Sequence, residues 1–183
     1  MRKLLVFSLI CFSLISFAQV GIQFPDLEGE SLTNQMFNLP ADASGKYTLL
    51  GLAYSKKSES ALKTWFSPTY NQFIYKPETP SLFAGNYDVN VFFIPMFTGA
   101  KRPAYTKVMD NVKKQVDKAL HPYVLFYKGK LKDYKEALQF DGKDIPYFFV
   151  LDPDGKIIHT TRGGYSDSKM QQIVDAVEAA WQE

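Results

Sequence analysis

From Tyr47 the chain runs Thr48-Leu49-Leu50-Gly51-Leu52-Ala53-Tyr54 directly into Ser55, and a helical pattern starts immediately behind it. A short, nearly unbroken apolar run reads as a buried strand. A strand handed to a helix by so short a turn belongs to alternating α/β architectures. The rest of the chain repeats the alternation. Ala61, Leu62, Trp65 and Phe66 mark one face of a helix, and Val89 to Met96, rich in Val, Ile and Phe, reads as a second central strand. Past Pro103, the spacing of Tyr105, Val108, Met109, Val112, Val116 and Leu120 predicts an amphipathic helix.

A short extra strand follows at Tyr123 to Tyr127, then a brief helix around Tyr134 to Leu138. Tyr147 to Leu151 and Lys156 to Thr161 are strands joined by Asp152-Pro153-Asp154-Gly155, whose Pro and Asp-Gly are turn chemistry, so a hairpin is expected. Met170, Ile173, Val174, Val177 and Trp181 predict a last helix capped by Ser166. Residues 19–46, with Pro25, Gly29, Pro40 and Gly45, read as a leader holding a short hairpin. The 183 residues suit one domain able to bury roughly 70% of its unfolded surface, and 15% aromatic content argues against disorder.

The first eighteen residues differ in kind. Arg2 and Lys3 are followed by the apolar run Leu4 to Phe17, too short to span a bilayer, and Ser16-Phe17-Ala18 places small residues where a signal peptidase cuts. The expectation is a signal peptide over 1–18, a periplasmic or secreted protein, and no transmembrane segment after cleavage. Ile10 before Cys11 stands where lipidation requires a small residue. Removing Arg2 and Lys3 leaves 19 basic residues against 19 acidic ones, so net charge gives no nucleic-acid footprint. The only cysteine, Cys11, leaves with the signal. Thiol chemistry, disulfide staples and thiolate metal ligation leave with it.

The order of elements resembles a thioredoxin-like three-layer α/β/α sandwich with an N-terminal leader (19–46), a main domain (47–183) and an extra strand–helix insertion at 122–138. Secreted thiol-disulfide oxidoreductases and peroxiredoxins share this pattern. Ile145-Pro146-Tyr147-Phe148-Phe149-Val150-Leu151-Asp152-Pro153-Asp154-Gly155-Lys156 is similar to that family's stretch from the cis-proline through the hairpin, and Phe24-Pro25-Asp26-Leu27-Glu28-Gly29 to its leader. The resemblance implies that Pro146 is a cis-proline facing the active-site turn, and that Ser55 and Ser58 stand at the two redox cysteine positions. Tyr147 then stands where thioredoxins carry a Thr, its ring partly filling the groove. Trp65, Ser67 and Pro68, together with the missing cysteines, resemble the thioredoxin-like assembly factors of mitochondrial ATP synthase and their bacterial relatives.

The turn Ser55-Lys56-Lys57-Ser58 is therefore the chemical question. A hydroxyl cannot be ionised by a helix N-terminus alone and needs a base. The only imidazoles, His121 and His159, have no evident partner, and both read as surface or packing residues. No catalytic residue, metal ligand or cofactor is expected. Ser55 suits an N-cap, a role worth about 1 kcal/mol. Cations in a first turn oppose the helix dipole at about 0.3–1 kcal/mol each. Lys56 and Lys57 thus raise the alternative that free amides, two hydroxyls and two ammonium groups hold an anion or an acidic segment. The expected function is a non-redox binding and assembly module, chaperone-like, for a protein or peptide partner. Its binding residues would be Tyr54, Ser55, Lys56, Lys57 and Ser58 with Ile145, Pro146 and Tyr147. The alternative is an oxidoreductase family member inactive by descent.

Overall fold

The computed structural model describes residues 19–76 and 87–181. The expected signal peptide and Cys11 lie outside the described residues. In chain order the elements are β1 (Leu27–Ser31), β2 (Met36–Leu39), β3 (Tyr47–Ala53), α1 (Lys56–Lys63), α2 (Phe66–Thr69), β4 (Val89–Thr98), α3 (Tyr105–Gln115), β5 (Leu125–Gly129), α4 (Lys132–Ala137), β6 (Tyr147–Leu151), β7 (Ile157–Arg162) and α5 (Asp167–Trp181). The strands form one sheet in the order β2-β1-β5-β4-β3-β6-β7. β3, β4 and β5 run parallel, while β6 is antiparallel to β3 and β7 to β6. The leader hairpin β1–β2 joins the same sheet through β5.

All seven residues of β3 are buried. Alternate side chains of a strand point to opposite faces, so such a strand must be covered on both. The crossovers β3–α1–β4 and β4–α3–β5 step the same way along the sheet. With both in the right-handed sense, α1 and α3 share one face. There Leu49 and Phe93 pack with Leu62 of α1, Met109 of α3 and Ile173 of α5. On the other face Leu50, Leu52 and Phe149 pack beneath Tyr134 of α4, Phe140 and the leader's Phe24. The result is the three-layer thioredoxin-like arrangement the element order implies.

Two expectations change. The helix read through Leu120 stops at Gln115, because Val116 is extended (φ −93°, ψ 140°) and the Asp117 carboxylate accepts the Ala119 amide at 2.8 Å, starting a separate 3-10 turn. A side chain that caps a new turn competes with continuation of the old helix. The cis X–Pro bond among the described residues is Leu39–Pro40, not the expected Ile145–Pro146. Pro146 enters β6 with its carbonyl accepting the Gly163 amide at 2.8 Å. That bond extends the β6–β7 ladder past Tyr147, and Ile145–Pro146 keeps the trans form that X–Pro bonds prefer by about 0.5–1 kcal/mol.

The β6–β7 hairpin is closed as its sequence requires: Asp152 Oδ1 accepts the amides of Asp154 (3.0 Å) and Lys156 (2.8 Å), and Gly155 has φ 83°. Ser166 caps α5, its hydroxyl accepting the Lys169 amide at 3.4 Å.

Gly51 sets how closely α1 lies on β3. A Cβ there would stand 2.6 Å from Phe148 Cε1 and 2.9 Å from Leu62 Cδ1. Phe148 is fully buried with the Trp65 ring 4.2 Å behind it, so its ring has nowhere to move. Gly51→Ala is expected to lower stability by about 1–3 kcal/mol through overpacking, read as a lower midpoint in urea unfolding.

Candidate functional site

The junction between β3 and α1 is closed by its own hydroxyls. Ser55 is the N-cap, with extended backbone (φ −133°, ψ 159°), and its Oγ accepts the Ser58 amide at 3.0 Å. In return Ser58 Oγ accepts the Ser55 amide at 2.9 Å and donates to the Ser55 carbonyl at 2.9 Å. This is a reciprocal capping box with Ser in the position usually held by Glu or Gln. Ser55 is 4% exposed and Ser58 0%. At that depth water cannot serve these amides, so the side chains must. Lys56 and Lys57, between the two serines, are exposed.

Neither hydroxyl of the turn is free. The Ser55 hydroxyl donates to Asp144 Oδ1 at 2.9 Å, so a carboxylate of the chain itself already stands at the start of α1. Neither serine is hydrogen-bonded to an imidazole. His121 Nε2 lies 3.1 Å from the Val116 carbonyl. His159 sits in β7, its Nε2 buried without a partner and its pKa lowered by that burial.

Asp144 arrives on the segment between α4 and β6. Gln139 turns the chain with φ 48°, and Phe140 then stacks on Tyr147 with ring centroids 4.4 Å apart and on Tyr54 at 5.4 Å. Tyr147 is 4% exposed. Its ring is part of this aromatic layer. The Tyr54 hydroxyl donates to the Gly142 carbonyl at 2.7 Å; the Tyr147 hydroxyl accepts the Gly142 amide at 2.6 Å and donates to Asp141 Oδ1 at 2.7 Å. Arg162 of β7 completes the group through an ion pair with Asp141. Burial pushes the Tyr54 phenol up to about 12, helped by Tyr147 and the nearby carboxylates, and burial also raises Tyr147. Hydrogen bonds from Arg162 and then Tyr147 hold Asp141 below the usual carboxylate range.

The structure thus brings together Tyr54, Ser55, Ser58 and Tyr147, with Ile145 and Pro146 alongside. Lys56 and Lys57 point out beside them. The sequence reading missed Asp141, Gly142, Asp144 and Arg162. The local signal for the first three was an Asp-Gly-Lys-Asp run shortly before Pro146, and the Asp144–Ser55 partnership spans 89 positions. Trp65 connects to the site indirectly. It is fully buried, and its Nε1–H donates at 3.0 Å to the carbonyl of Gly163, the residue whose amide holds Pro146.

A family model described as ATP10 protein matches residues 17–179. A search of curated proteins finds no match. Among solved structures, BsSco, a member of the Sco family of cytochrome c oxidase assembly proteins, aligns with TM-score 0.58 and 12% identity, covering 88% of this chain and 95% of that one. Yeast Sco1 aligns with TM-score 0.51 and 16% identity, over 86% of this chain and 95% of its own. A putative thiol:disulfide interchange protein DsbE from Chlorobium tepidum gives 0.53 and 15%, over 86% and 97%. At these identities the solved structures establish the thioredoxin-like fold.

Two outcomes follow from the site's geometry. Ser58→Ala strips the buried Ser55 amide of its acceptor and is expected to cost about 1–2 kcal/mol. Ser60→Ala, at an exposed hydroxyl bonded to the Lys56 carbonyl, should stay within about 0.5 kcal/mol in the same urea unfolding series. For Tyr54, burial lifts the folded-state pKa from the ordinary 10.0 to about 12. Its contribution to stability is complete below pH 10 and is lost as pH rises through 12. Tyr54→Phe should flatten that alkaline loss when unfolding is measured at stepped pH.

Proposed function

The chain belongs to the ATP10 protein family, and from that premise we propose that it is a secreted, non-redox assembly module that holds a protein segment at the Ser55–Ser58 turn. Membership of a thioredoxin-like assembly-factor family carries the expectation of protein partners. The observation that supports the finer reading is the closed capping box itself. The positions that in the thioredoxin resemblance carry sulfur nucleophiles carry two buried hydroxyls, each bonded within the turn. No cysteine occurs between residues 19 and 183 to take their place.

Electrostatics point the same way. A reactive thiol at a helix N-terminus works because its surroundings favour the anion. Here Asp144 Oδ1 stands 2.9 Å from Ser55 Oγ. A carboxylate at that range opposes a second negative charge and favours a neutral donor. Secretion rests on the basic start, apolar run and small-residue cut site of residues 1–18. An acidic partner segment fits the exposed Lys56 and Lys57, cations at the end of the helix whose dipole disfavours them.

The test is site-specific photocrosslinking in the native cell, with benzoylphenylalanine placed at position 57 or, as control, at Lys114 on the far end of α3. A discrete adduct from position 57 and none from position 114 is the expected result. Identical adduct patterns from both would overturn the assignment of the turn as the partner site. Insulin reduction by the same protein should stay at background, and turnover above it would overturn the non-redox reading.

A further inference from the structure

Residues Asp141 to Ile145 are fastened to the domain by side chains. Among the described residues none of them makes a backbone–backbone hydrogen bond to a strand or helix. Asp141, Lys143 and Asp144 are exposed, whereas Tyr54, Ser55 and Tyr147 beneath them are buried. The pins form a pattern. Two phenols hold both backbone polar groups of one glycine: Tyr54 donates to the Gly142 carbonyl, and Tyr147 accepts the Gly142 amide and also reaches that carbonyl at 3.0 Å. A Cβ on Gly142 would stand 3.1 Å from Ile145 Cδ1 and 3.5 Å from Tyr147 Oη, a tight fit that requires Ile145 to give by a few tenths of an ångström. One residue before it a carboxylate meets Tyr147 and Arg162, and two residues after it a carboxylate meets Ser55.

Resting on the reading that this turn is the partner site, we infer that Asp141-Gly142-Lys143-Asp144 is a tethered stand-in for the partner. The site recognises a short segment of the form carboxylate–glycine–any–carboxylate, and the chain's own copy occupies it until a partner's copy displaces it. The recognition surface is complete for such a segment: a platform of stacked rings, two phenols for the amide and carbonyl of one glycine, a guanidinium and a hydroxyl for the two carboxylates. Lys56 and Lys57, both exposed, directly follow Ser55, whose hydroxyl meets the second carboxylate. A tethered segment competes at the effective concentration its short linker sets, so an outside segment binds detectably only when the tethered copy is weakened or the partner adds further contacts.

The experiment compares the wild-type chain with the Asp141→Ser, Asp144→Ser double variant, which removes both carboxylates from exposed positions while Ser55 Oγ keeps Ser58 Oγ at 3.1 Å. Each is titrated with a millimolar peptide copying residues 139–146, and the amide resonances of residues 55–58 are followed by NMR. Shifts in the variant, none in the wild type, and none in either with a peptide carrying Asn for both Asp are the expected result. No shift in the variant, or equal shifts in both proteins, overturns the inference. If the double variant loses native amide dispersion, Asp144→Asn alone is titrated under the same criterion. A partner crosslinked at position 57 without peptide binding overturns the tethered segment and keeps the partner site. Peptide binding without a crosslinked partner does the reverse.

Discussion

The start of α1 lies where water cannot reach it, and much of the site's chemistry follows from that. Helix N-termini leave backbone donors unpaired, and an unpaired donor in the interior costs about 1–3 kcal/mol. β3 is buried along its whole length and delivers the chain straight into this position. The first turn must therefore bring its own acceptors. Ser55 and Ser58 supply them to each other. A pair of residues three apart at a buried helix start is thus structurally necessary here whatever chemistry it carries, and hydroxyls meet that need without a reactive group.

The fold was legible because its signals are local. Strands β3, β4 and β6 announce themselves as apolar runs, the Asp152–Gly155 turn by its Pro and Asp-Gly, and α5 by Met170, Ile173, Val174 and Val177 at helical spacing. The end of α3 was not legible from period alone. Val116 and Leu120 keep the helical spacing, yet Asp117 caps a different turn. Periodicity records which side chains are apolar, and it does not record a competing hydrogen bond.

Half of the site was legible, and the division is physical. Tyr54, Ser55, Ser58 and Tyr147 are fixed by secondary structure at a strand end, a helix start and a strand start. Asp141, Gly142 and Asp144 lie on an irregular segment whose position is decided by tertiary contacts with Tyr54, Tyr147, Arg162 and Ser55. Such contacts leave no period in the sequence. Pro146 shows the same limit. The motif around it resembles one that carries a cis bond, while Ile145–Pro146 keeps the trans form that X–Pro bonds ordinarily prefer.

The leader also has a place at the other end of the sheet order. Gly21 donates to the Ile157 carbonyl, Ile157 to the Ile22 carbonyl and Phe24 to the Gly155 carbonyl, so residues 21–24 lie along the beginning of β7. β7 is an edge strand carrying Ile157, Ile158, Thr160 and Thr161. Unguarded edges with such residues template pairing with other chains. The guard comes from near one end of the sequence and the strand it covers from near the other. During synthesis from the N-terminus the leader must wait for most of the chain before it has anything to cover, so the covered part of this edge is among the last features of the domain to be sealed against aggregation.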